Sequence, residues 1–424
     1  MKKTTLTIQY AIQQTLHWFI AGLAIPVLVL IFQSRSLNLS DIGLIMAIWV
    51  ASTALLEVPL GVLADRIGRL TTYLISLVIL TLGSLMLLIA DSFASIACAA
   101  LLLGTARAVY SGTLDAWFYD AFTAAKGSMS FHQALAKVNF MVTIGLAFGA
   151  LVGGYLASCA HLVPFELQSA MDTNLVVIAM LSVLLMGITP CLIKESSAYS
   201  HKCSESHQEN RNTLTMLQAS FFHSTIGCLF KTGIIYGWVL SGLENLWQPY
   251  LKQLIGDSSS ISIFGLIAAL YFVMAGAASL ASQPLLALFK HSHRALLVVS
   301  RLGAALLLFL LASSQSVIGF SCLYLGFFFL FTIGCNSETL LVNQHTPSNH
   351  RSTILSLHSL VITSGAVIAS TLLGWLAQYH SISLAWQFSG VLLAISCGWL
   401  YQLPKSTEKQ LGDELEPESV HKVA

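Results

Sequence analysis

The stretch GVLADRIGR, residues 61–69, places three charged side chains and two glycines between long apolar runs. Only 9% of the 424 residues are charged, whereas 56% are hydrophobic. The mean hydropathy is +0.77. Soluble globular domains carry charge on about a quarter of their residues. The chain is therefore expected to be a polytopic membrane protein, with residues 61–69 as a polar loop between two of its spans.

Twelve apolar runs are long enough to cross a bilayer, because a helix that spans the hydrocarbon core needs about 20 mostly apolar residues. No alternating strand pattern of a membrane β-barrel accompanies them. The sequence thus predicts an all-α integral membrane protein with twelve transmembrane helices. The predicted spans are residues 9–32, 40–61, 71–90, 93–121, 133–157, 172–193, 227–250, 261–289, 295–313, 317–343, 352–378 and 382–403.

Two internal similarities relate the first six spans to the last six. IGLAFGALVGGYLA in the fifth span, residues 144–157, resembles SGAVIASTLLGWLA in the eleventh, residues 364–377. PLGVLADRIGR in the second can likewise be laid over PLLALFKHSHR in the eighth. Both matches join span n to span n+6, which indicates two pseudo-symmetric six-helix bundles. The predicted organisation is a bundle at 1–193, a cytoplasmic linker at 194–223, a bundle at 224–404 and a disordered cytoplasmic tail at 405–424.

The basic residues predict the orientation of the chain. If both termini lie inside, seventeen of the twenty lysines and arginines fall on the cytoplasmic side, as the positive-inside rule requires. We therefore expect a multi-pass protein of a bacterial-type inner (plasma) membrane with both termini in the cytoplasm. The net charge of +1 gives no electrostatic case for a nucleic-acid partner. Eight scattered cysteines without a C-x-x-C pair predict neither a disulfide framework nor a metal site.

The opening stretch resembles the loop signature G-x-x-x-D-R-x-G-R-R, which lies between the second and third spans of the major facilitator superfamily. Leu70 replaces the final basic residue. The matching residues are Gly61, Asp65, Arg66, Gly68 and Arg69. The signature is fairly specific, because it falls in the expected loop of a twelve-span, positive-inside chain. The resemblance covers nearly the whole chain. It implies the superfamily's fold of two six-helix bundles and transport by alternating access.

The resemblance also implies that this loop locks the two halves at the cytoplasmic face. Asp65 would contact the other half, and Arg69 would pair with an acid that ends the fourth span. Asp115 and Asp120 are the candidates for that acid. Independently of the family, Gly61 and Gly68 would permit close approach of two backbones or a sharp turn. The alternative is that these charges only fix the topology of the loop.

Ionisable residues inside a span are costly and are therefore candidates for function. Arg107 lies near the middle of the fourth span, with Tyr110 one turn further on. Antiporters of the superfamily carry R-x-x-Q-G in this span, and the resemblance is partial because the glutamine is missing. Arg107 is thus predicted to bind substrate or couple protons, the alternative being a structural pair with a neighbouring acid.

The fifth span resembles the antiporter motif G-x-x-x-G-P-x-x-G-G, with Ala150 in place of the proline. The matching residues are Gly145, Gly149, Gly153 and Gly154. Glycines four residues apart also support close helix packing by themselves. The motif therefore leaves the direction of transport open.

Further polar residues are predicted to surround a cavity between the halves, since spans one, four, seven and ten line the cavity in the superfamily. Glu244 is the candidate for a carboxylate that gains and loses a proton. Near it, Trp238 could contribute to an aromatic wall for the ligand. Glu338 belongs either to the cavity or to the cytoplasmic gate. The remaining candidates are His17, Asn245 and Asn336.

The sequence therefore predicts a secondary active transporter. Proton-coupled efflux of an amphipathic compound, such as a drug or a siderophore-like metabolite, is favoured, and a proton-coupled symporter for nutrient uptake is the alternative. A non-transporting membrane sensor is the remaining candidate of another class. The sequence contains no H-E-x-x-H, G-x-S-x-G or P-loop motif, so we expect neither an enzyme nor a cofactor. The expected partners are a small molecule, protons and the lipid bilayer, and the expected state is a monomer.

Overall fold

The computed structural model describes residues 2–194, 224–256, 261–346 and 351–403. Except for Lys194, the predicted linker and tail lie outside these ranges. The α-helices are α1 (Lys3–Ala24), α2 (Leu28–Ser34), α3 (Leu39–Ile67), α4 (Arg69–Ile89), α5 (Phe93–Tyr110), α6 (Thr113–Ala124), α7 (Phe131–Leu156), α8 (Asp172–Leu192), α9 (Ser224–Ile255), α10 (Ser262–Leu288), α11 (His293–Leu311), α12 (Val317–His345), α13 (Arg351–Tyr379) and α14 (Ile382–Leu400).

Twelve segments of this chain are long and apolar enough to cross a membrane. Two of them consist of two helices each: α1 with α2 forms the first span, and α5 with α6 forms the fourth. Every predicted span coincides with one of these segments to within a few residues. The all-α, twelve-span prediction is therefore confirmed.

The interruptions of the first and fourth spans have local causes. Pro26 follows α1 and cannot continue its hydrogen-bond ladder, because proline lacks an N–H group and its ring clashes with the preceding turn. In the fourth span, Gly112 has φ +68°, a left-handed conformation that glycine adopts without steric cost. Beside it, Ser111 Oγ donates to Glu57 Oε1 of α3 at 2.5 Å. The fourth span is therefore bent at a fixed point between its two helices.

The helix packing repeats with a period of six spans. In the first half, α1 packs on α7 and α8, α4 packs on α5 and α8, and α3 packs on α5. In the second half, α9 packs on α13 and α14, α11 on α12 and α14, and α10 on α12. Each pairing in the first list has its counterpart six spans later in the second. The prediction of two pseudo-symmetric six-helix bundles is confirmed.

Glycines of the repeated segment explain the close packing within each half. A Cβ atom at Gly145 would lie 2.6 Å from Thr15 O of the first span. At the equivalent Gly365, a Cβ atom would meet Ile234 O of the seventh span. Only a residue without a side chain lets the backbones approach so closely. The same glycine therefore joins the fifth span to the first and the eleventh to the seventh.

The second pair of repeated glycines joins the two halves. A Cβ atom at Gly154 in α7 would lie 2.5 Å from Gly265 Cα in α10. A Cβ atom at Gly374 in α13 would lie 2.9 Å from Gly43 Cα in α3. The two contacts are related by the pseudo-symmetry. In each of them, the glycine-rich helix of one bundle meets the second span of the other bundle. Pseudo-symmetry thus extends to the interface between the bundles.

These contacts lie at one side of the membrane. With an even number of spans, residues 2 and 403 share one face, here named the terminal face, and the other is named the opposite face. Towards the opposite face, Leu39 N donates to Gln378 Oε1 and Gln248 Nε2 donates to Ile25 O, both at 2.9 Å. Towards the terminal face, a Cβ atom at Gly61 would meet nothing within 4 Å. The close approach expected at Gly61 is therefore wrong for this conformation, in which the halves are joined at the opposite face.

Candidate transport site

A cavity of about 230 Å³ lies within the first bundle. Its walls are mostly apolar side chains of α1, α3, α4, α5, α7 and α8, including the indole rings of Trp18 and Trp49. Three of the predicted site residues line it together: His17, Arg107 and Tyr110. The predicted site lay between the halves, whereas all the residues that line this cavity belong to the first half.

Aromatic stacking holds the cavity side of α1 in place. The rings of His17 and Tyr110 stack with centroids 4.0 Å apart and an interplanar angle of 17°. Trp18 meets His17 edge-on, at 5.6 Å and 88°. His17 Nδ1 also lies 3.1 Å from the hydroxyl oxygen of Tyr73. Because one ring nitrogen and one ring face are engaged, His17 presents a fixed edge to the cavity.

A row of polar residues on α1 continues from His17 towards the terminal face. Tyr110 Oη donates to Gln14 Oε1 at 2.6 Å. Further along, Tyr10 Oη donates to Asp115 Oδ1 at 2.6 Å. The sequence analysis did not predict a role for Gln14 or Tyr10. The signal was present, because residues 10, 14 and 17 have the spacing that places side chains on one face of a helix. Asp115 thus contacts the first span and not the loop at residues 61–69.

Arg107 is the charged group of the cavity. It is exposed within the cavity wall, between the buried residues Ala106 and Ala108. Its guanidinium makes no hydrogen bond or ion pair with any residue in the described ranges. In the described part of the chain, no acid therefore forms the structural ion pair that was the alternative prediction for Arg107. An unpaired cation inside a span is costly, which makes Arg107 the strongest candidate for contact with a ligand.

Glu244 is the predicted proton-carrying residue of the second half and lies in α9. It is exposed, whereas Leu243 and Asn245 on either side are buried, so its side chain projects out of the bundle's interior. The charge of Arg107 acts on Glu244 across the boundary between the halves. The two halves therefore contribute charges of opposite sign to one region.

The segment predicted as a loop at residues 61–69 is helical except at Gly68, which alone links the two spans. Gly68 has φ +96° and separates the end of α3 at Ile67 from the start of α4 at Arg69. Arg69 Nη1 lies 2.5 Å from Asp120 Oδ2, and both side chains are partly exposed. Arg66 is exposed. Asp65 was predicted to contact the other half. This stays a prediction, because its side chain is not among those that the structure describes.

Comparison with known proteins identifies the family. The model of the Major Facilitator Superfamily matches residues 10–336 and 244–422, which is more than half of the chain. The chain belongs to the Major Facilitator Superfamily. It is therefore a multi-pass membrane transporter, and the resemblance noted in its sequence is confirmed.

Three superfamily members illustrate the similarity. The MFS-type transporter YxaM of Bacillus subtilis (strain 168) is 22% identical over 403 residues, covering 93% of this chain and 95% of YxaM. The quinolone resistance protein NorA of Staphylococcus aureus (strain MRSA252) is 24% identical over 150 residues, covering 35% of this chain and 38% of NorA. The crystal structure of the nucleoside transporter NupG aligns with a TM-score of 0.77 at 15% identity, covering 94% of this chain and 100% of that one.

Two site residues that were predicted near Glu244 instead pack against other helices of the second bundle. Trp238 Nε1 donates to Ser389 Oγ at 3.1 Å, and its ring is buried. Asn245 Nδ2 donates to Ser370 Oγ at 3.1 Å. The expectation that Trp238 contributes to the wall of a ligand cavity is therefore not met, because the face of α9 that carries it packs against α14. Asn245 instead joins α9 to α13.

The two candidates of the tenth span have different surroundings from those expected. Asn336 is exposed and donates to Ser282 Oγ at 3.1 Å. Glu338 is buried, forms an ion pair with Arg301 and accepts a hydrogen bond from Thr232 Oγ1 at 2.9 Å. Neither lines the cavity of the first bundle. Arg301 is only 2% exposed.

A second buried ion pair lies near the opposite face. Arg35 Nη2 is 2.8 Å from Asp172 Oδ1, and both side chains are almost fully buried. Asn174 Nδ2 donates to Leu23 O at 2.7 Å and to Gly153 O at 2.8 Å. The sequence analysis did not predict these contacts, since Arg35 and Asp172 lie 137 positions apart along the chain. They join the ends of the first, fifth and sixth spans. No group of three potential metal ligands occurs in the described ranges.

Proposed function

We propose that this transporter exports a small amphipathic molecule in exchange for protons, by alternating access across a bacterial-type inner membrane. The proposal rests mainly on two charged side chains inside spans that have no hydrogen-bond or ion-pair partner in the described ranges. Arg107 of the first half lines an apolar cavity, and Glu244 of the second half is exposed. The cargo would be a drug or a metabolite with siderophore-like amphipathic character. Both termini would lie in the cytoplasm, and the working unit would be the monomer.

The contacts between the halves support alternating access. Helices α3 with α13 and α7 with α10 meet through glycines at the opposite face, whereas Gly61 has open space around it. Rocking of residues 1–193 against residues 224–404 would separate the glycines and bring the terminal ends together. The loop at residues 61–69 would then contact the second half. The Arg69–Asp120 pair would hold the loop, since a partly exposed pair contributes only about 1 kcal/mol and can be broken.

The position of Glu244 supports proton coupling. Its carboxylate projects from α9 and makes no hydrogen bond or ion pair within the described ranges. When Glu244 is ionised, it balances the charge of Arg107, and when it is protonated, the cation is left unbalanced. Because a net charge is costly inside a membrane, the protonation of Glu244 would change which conformation is favoured.

Export is favoured by two observations. The partial similarity to NorA connects the chain with a resistance protein. The fifth span carries Gly145, Gly149, Gly153 and Gly154 of the antiporter pattern, although each of them also packs against a neighbouring helix. The apolar and aromatic cavity walls suit an amphipathic cargo.

Proton flux in proteoliposomes with a pH-sensitive dye inside tests the proposal. Addition of a transported compound should collapse an imposed proton gradient, and Glu244→Gln should abolish this collapse while the purified protein keeps its melting temperature. Glu166→Gln is the matched control, because Glu166 is an exposed acid in the loop before α8. Accumulation by everted vesicles is expected. Accumulation by intact cells, with none in everted vesicles, would instead establish proton-coupled uptake.

A further inference from the structure

We propose that the cargo is a small aromatic monocarboxylate whose charge is bound by Arg107. The proposal rests on the transport function proposed above and names the class of molecule transported. Its evidence is independent of the direction of transport, since it comes from the size, the walls and the free hydrogen-bond donors of the cavity in the first bundle.

The size and walls of the cavity select a small aromatic body. An engineered apolar cavity of about 150 Å³ binds benzene, so a cavity of about 230 Å³ accommodates one ring with a short substituent. Trp18, Trp49 and Tyr110 contribute aromatic surface, and leucines such as Leu80 and Leu103 contribute most of the rest. Stacking against such rings adds to the burial of apolar area. A compact ring system therefore fits better than a flexible polar chain.

The hydrogen-bond donors of the cavity select an anion. Ser76 and Ser84 donate to backbone carbonyls of their own helix. Tyr110 donates to Gln14. The donors that remain in the cavity wall include the indole N–H of Trp49, the second ring nitrogen of His17 and the guanidinium of Arg107, of which only the guanidinium always carries a charge. Guanidinium geometry matches a carboxylate in a two-point contact, which would neutralise the unpaired cation.

The number of charges limits the anion to one negative charge. Among the residues that line the cavity, Arg107 is the single lysine or arginine. A dianion such as a phosphate monoester would therefore leave one negative charge unbalanced in an apolar site.

Binding of three ring compounds of equal size to the purified full-length protein tests the proposal. Benzoate, benzamide and benzylammonium differ in charge, and their dissociation constants are measured by tryptophan fluorescence and by thermal stabilisation. Benzoate should bind roughly tenfold to a hundredfold more tightly than benzamide, the usual range for a hydrogen bond to a charged group. Benzylammonium should bind most weakly.

Variants assign the preference to the cavity. Arg107→Gln should bring benzoate and benzamide to equal affinity, and Arg107→Lys should retain part of the preference because the charge remains without the planar fork. Lys137→Gln is the matched control, since it removes an exposed charge of α7 that lies outside the cavity and should leave all three affinities unchanged.

Several results would overturn the proposal. These are equal affinity for benzoate and benzamide, tighter binding of benzylammonium, absence of saturable benzoate binding up to its solubility limit, and a benzoate preference that survives Arg107→Gln. Failure of the transport proposal is distinguishable from these. Proton exchange with a neutral or cationic cargo would refute the carboxylate site alone. Saturable, Arg107-dependent benzoate binding without any coupled proton movement would refute proton exchange alone.

Discussion

Replacement of Gly154 by alanine should shift the transporter away from the conformation described here. The added Cβ atom would lie 2.5 Å from Gly265 Cα and 2.6 Å from Gly265 N. Carbon atoms prefer separations of about 3.5–4.0 Å, so α7 and α10 must move apart by about 1 Å at this point. Both neighbouring atoms belong to the backbone and cannot rotate away.

The cost of this strain can be placed in the range for overpacked interiors, about 1–3 kcal/mol. It falls only on the conformation in which the halves meet at the opposite face, because the contact is lost when they separate there. The equilibrium between the two conformations should therefore change by roughly 5-fold to 150-fold. Gly374→Ala should act in the same direction, since its Cβ atom would lie 2.9 Å from Gly43 Cα in the symmetry-related contact.

Hydrogen–deuterium exchange of the full-length protein measures this shift without added labels. Exchange should become faster in the ends of α7 and α10 at the opposite face and slower at the terminal ends of α3 and α13. Gly187→Ala is the matched control, because a Cβ atom at this helical glycine would meet nothing within 4 Å. The same exchange pattern in Gly154→Ala and Gly187→Ala, or faster exchange at both faces, would refute the reasoning.

Three further predictions concern ion pairs and hydrogen bonds. Glu338→Ala leaves the buried guanidinium of Arg301 without its acid and should cost about 3–5 kcal/mol of stability; replacement of both residues by methionine should cost less, and additive losses of melting temperature in detergent would contradict the pairing. Exchange of Arg69 and Asp120 for one another should preserve proton flux better than either single replacement by alanine, and equal flux in all three variants would contradict a role for their pairing. Asn174→Ala removes hydrogen bonds to two carbonyls and should cost about 1–3 kcal/mol; an unchanged melting temperature would contradict this.

The helices and their symmetry could be predicted from the sequence because both depend on local composition. Long apolar runs determine where a chain crosses a bilayer, and the repeated glycines at 145 and 365 meet equivalent partners in the two halves. The break in the fourth span was not predicted. Gly112 stands in a sequence that otherwise continues as a helix, and its left-handed conformation depends on contacts such as that of Ser111 with Glu57.

The partners of the polar residues could not be predicted in the same way. Composition indicates that Glu338 and Arg301 are costly inside a span, but it does not indicate that they pair, since 37 positions separate them along the chain. Likewise, Trp238 and Glu244 lie on one helix and were expected to face one ligand. They face different neighbours because the rotation of α9 about its axis is determined by packing against α13 and α14.

The fourth span connects the two regions that the sequence singled out. Arg107 lies in the cavity on one side of the helix break, and Asp120 holds the loop at residues 61–69 on the other side. Between them, Asp115 accepts a hydrogen bond from Tyr10 of the first span. The same face of that span carries His17 into the cavity. A movement of α6 that separates the partly exposed salt bridge would therefore also displace the helix that lines the cavity, because Tyr10 joins α1 to α6 through this hydrogen bond and through ring contacts with Trp117 and Phe118.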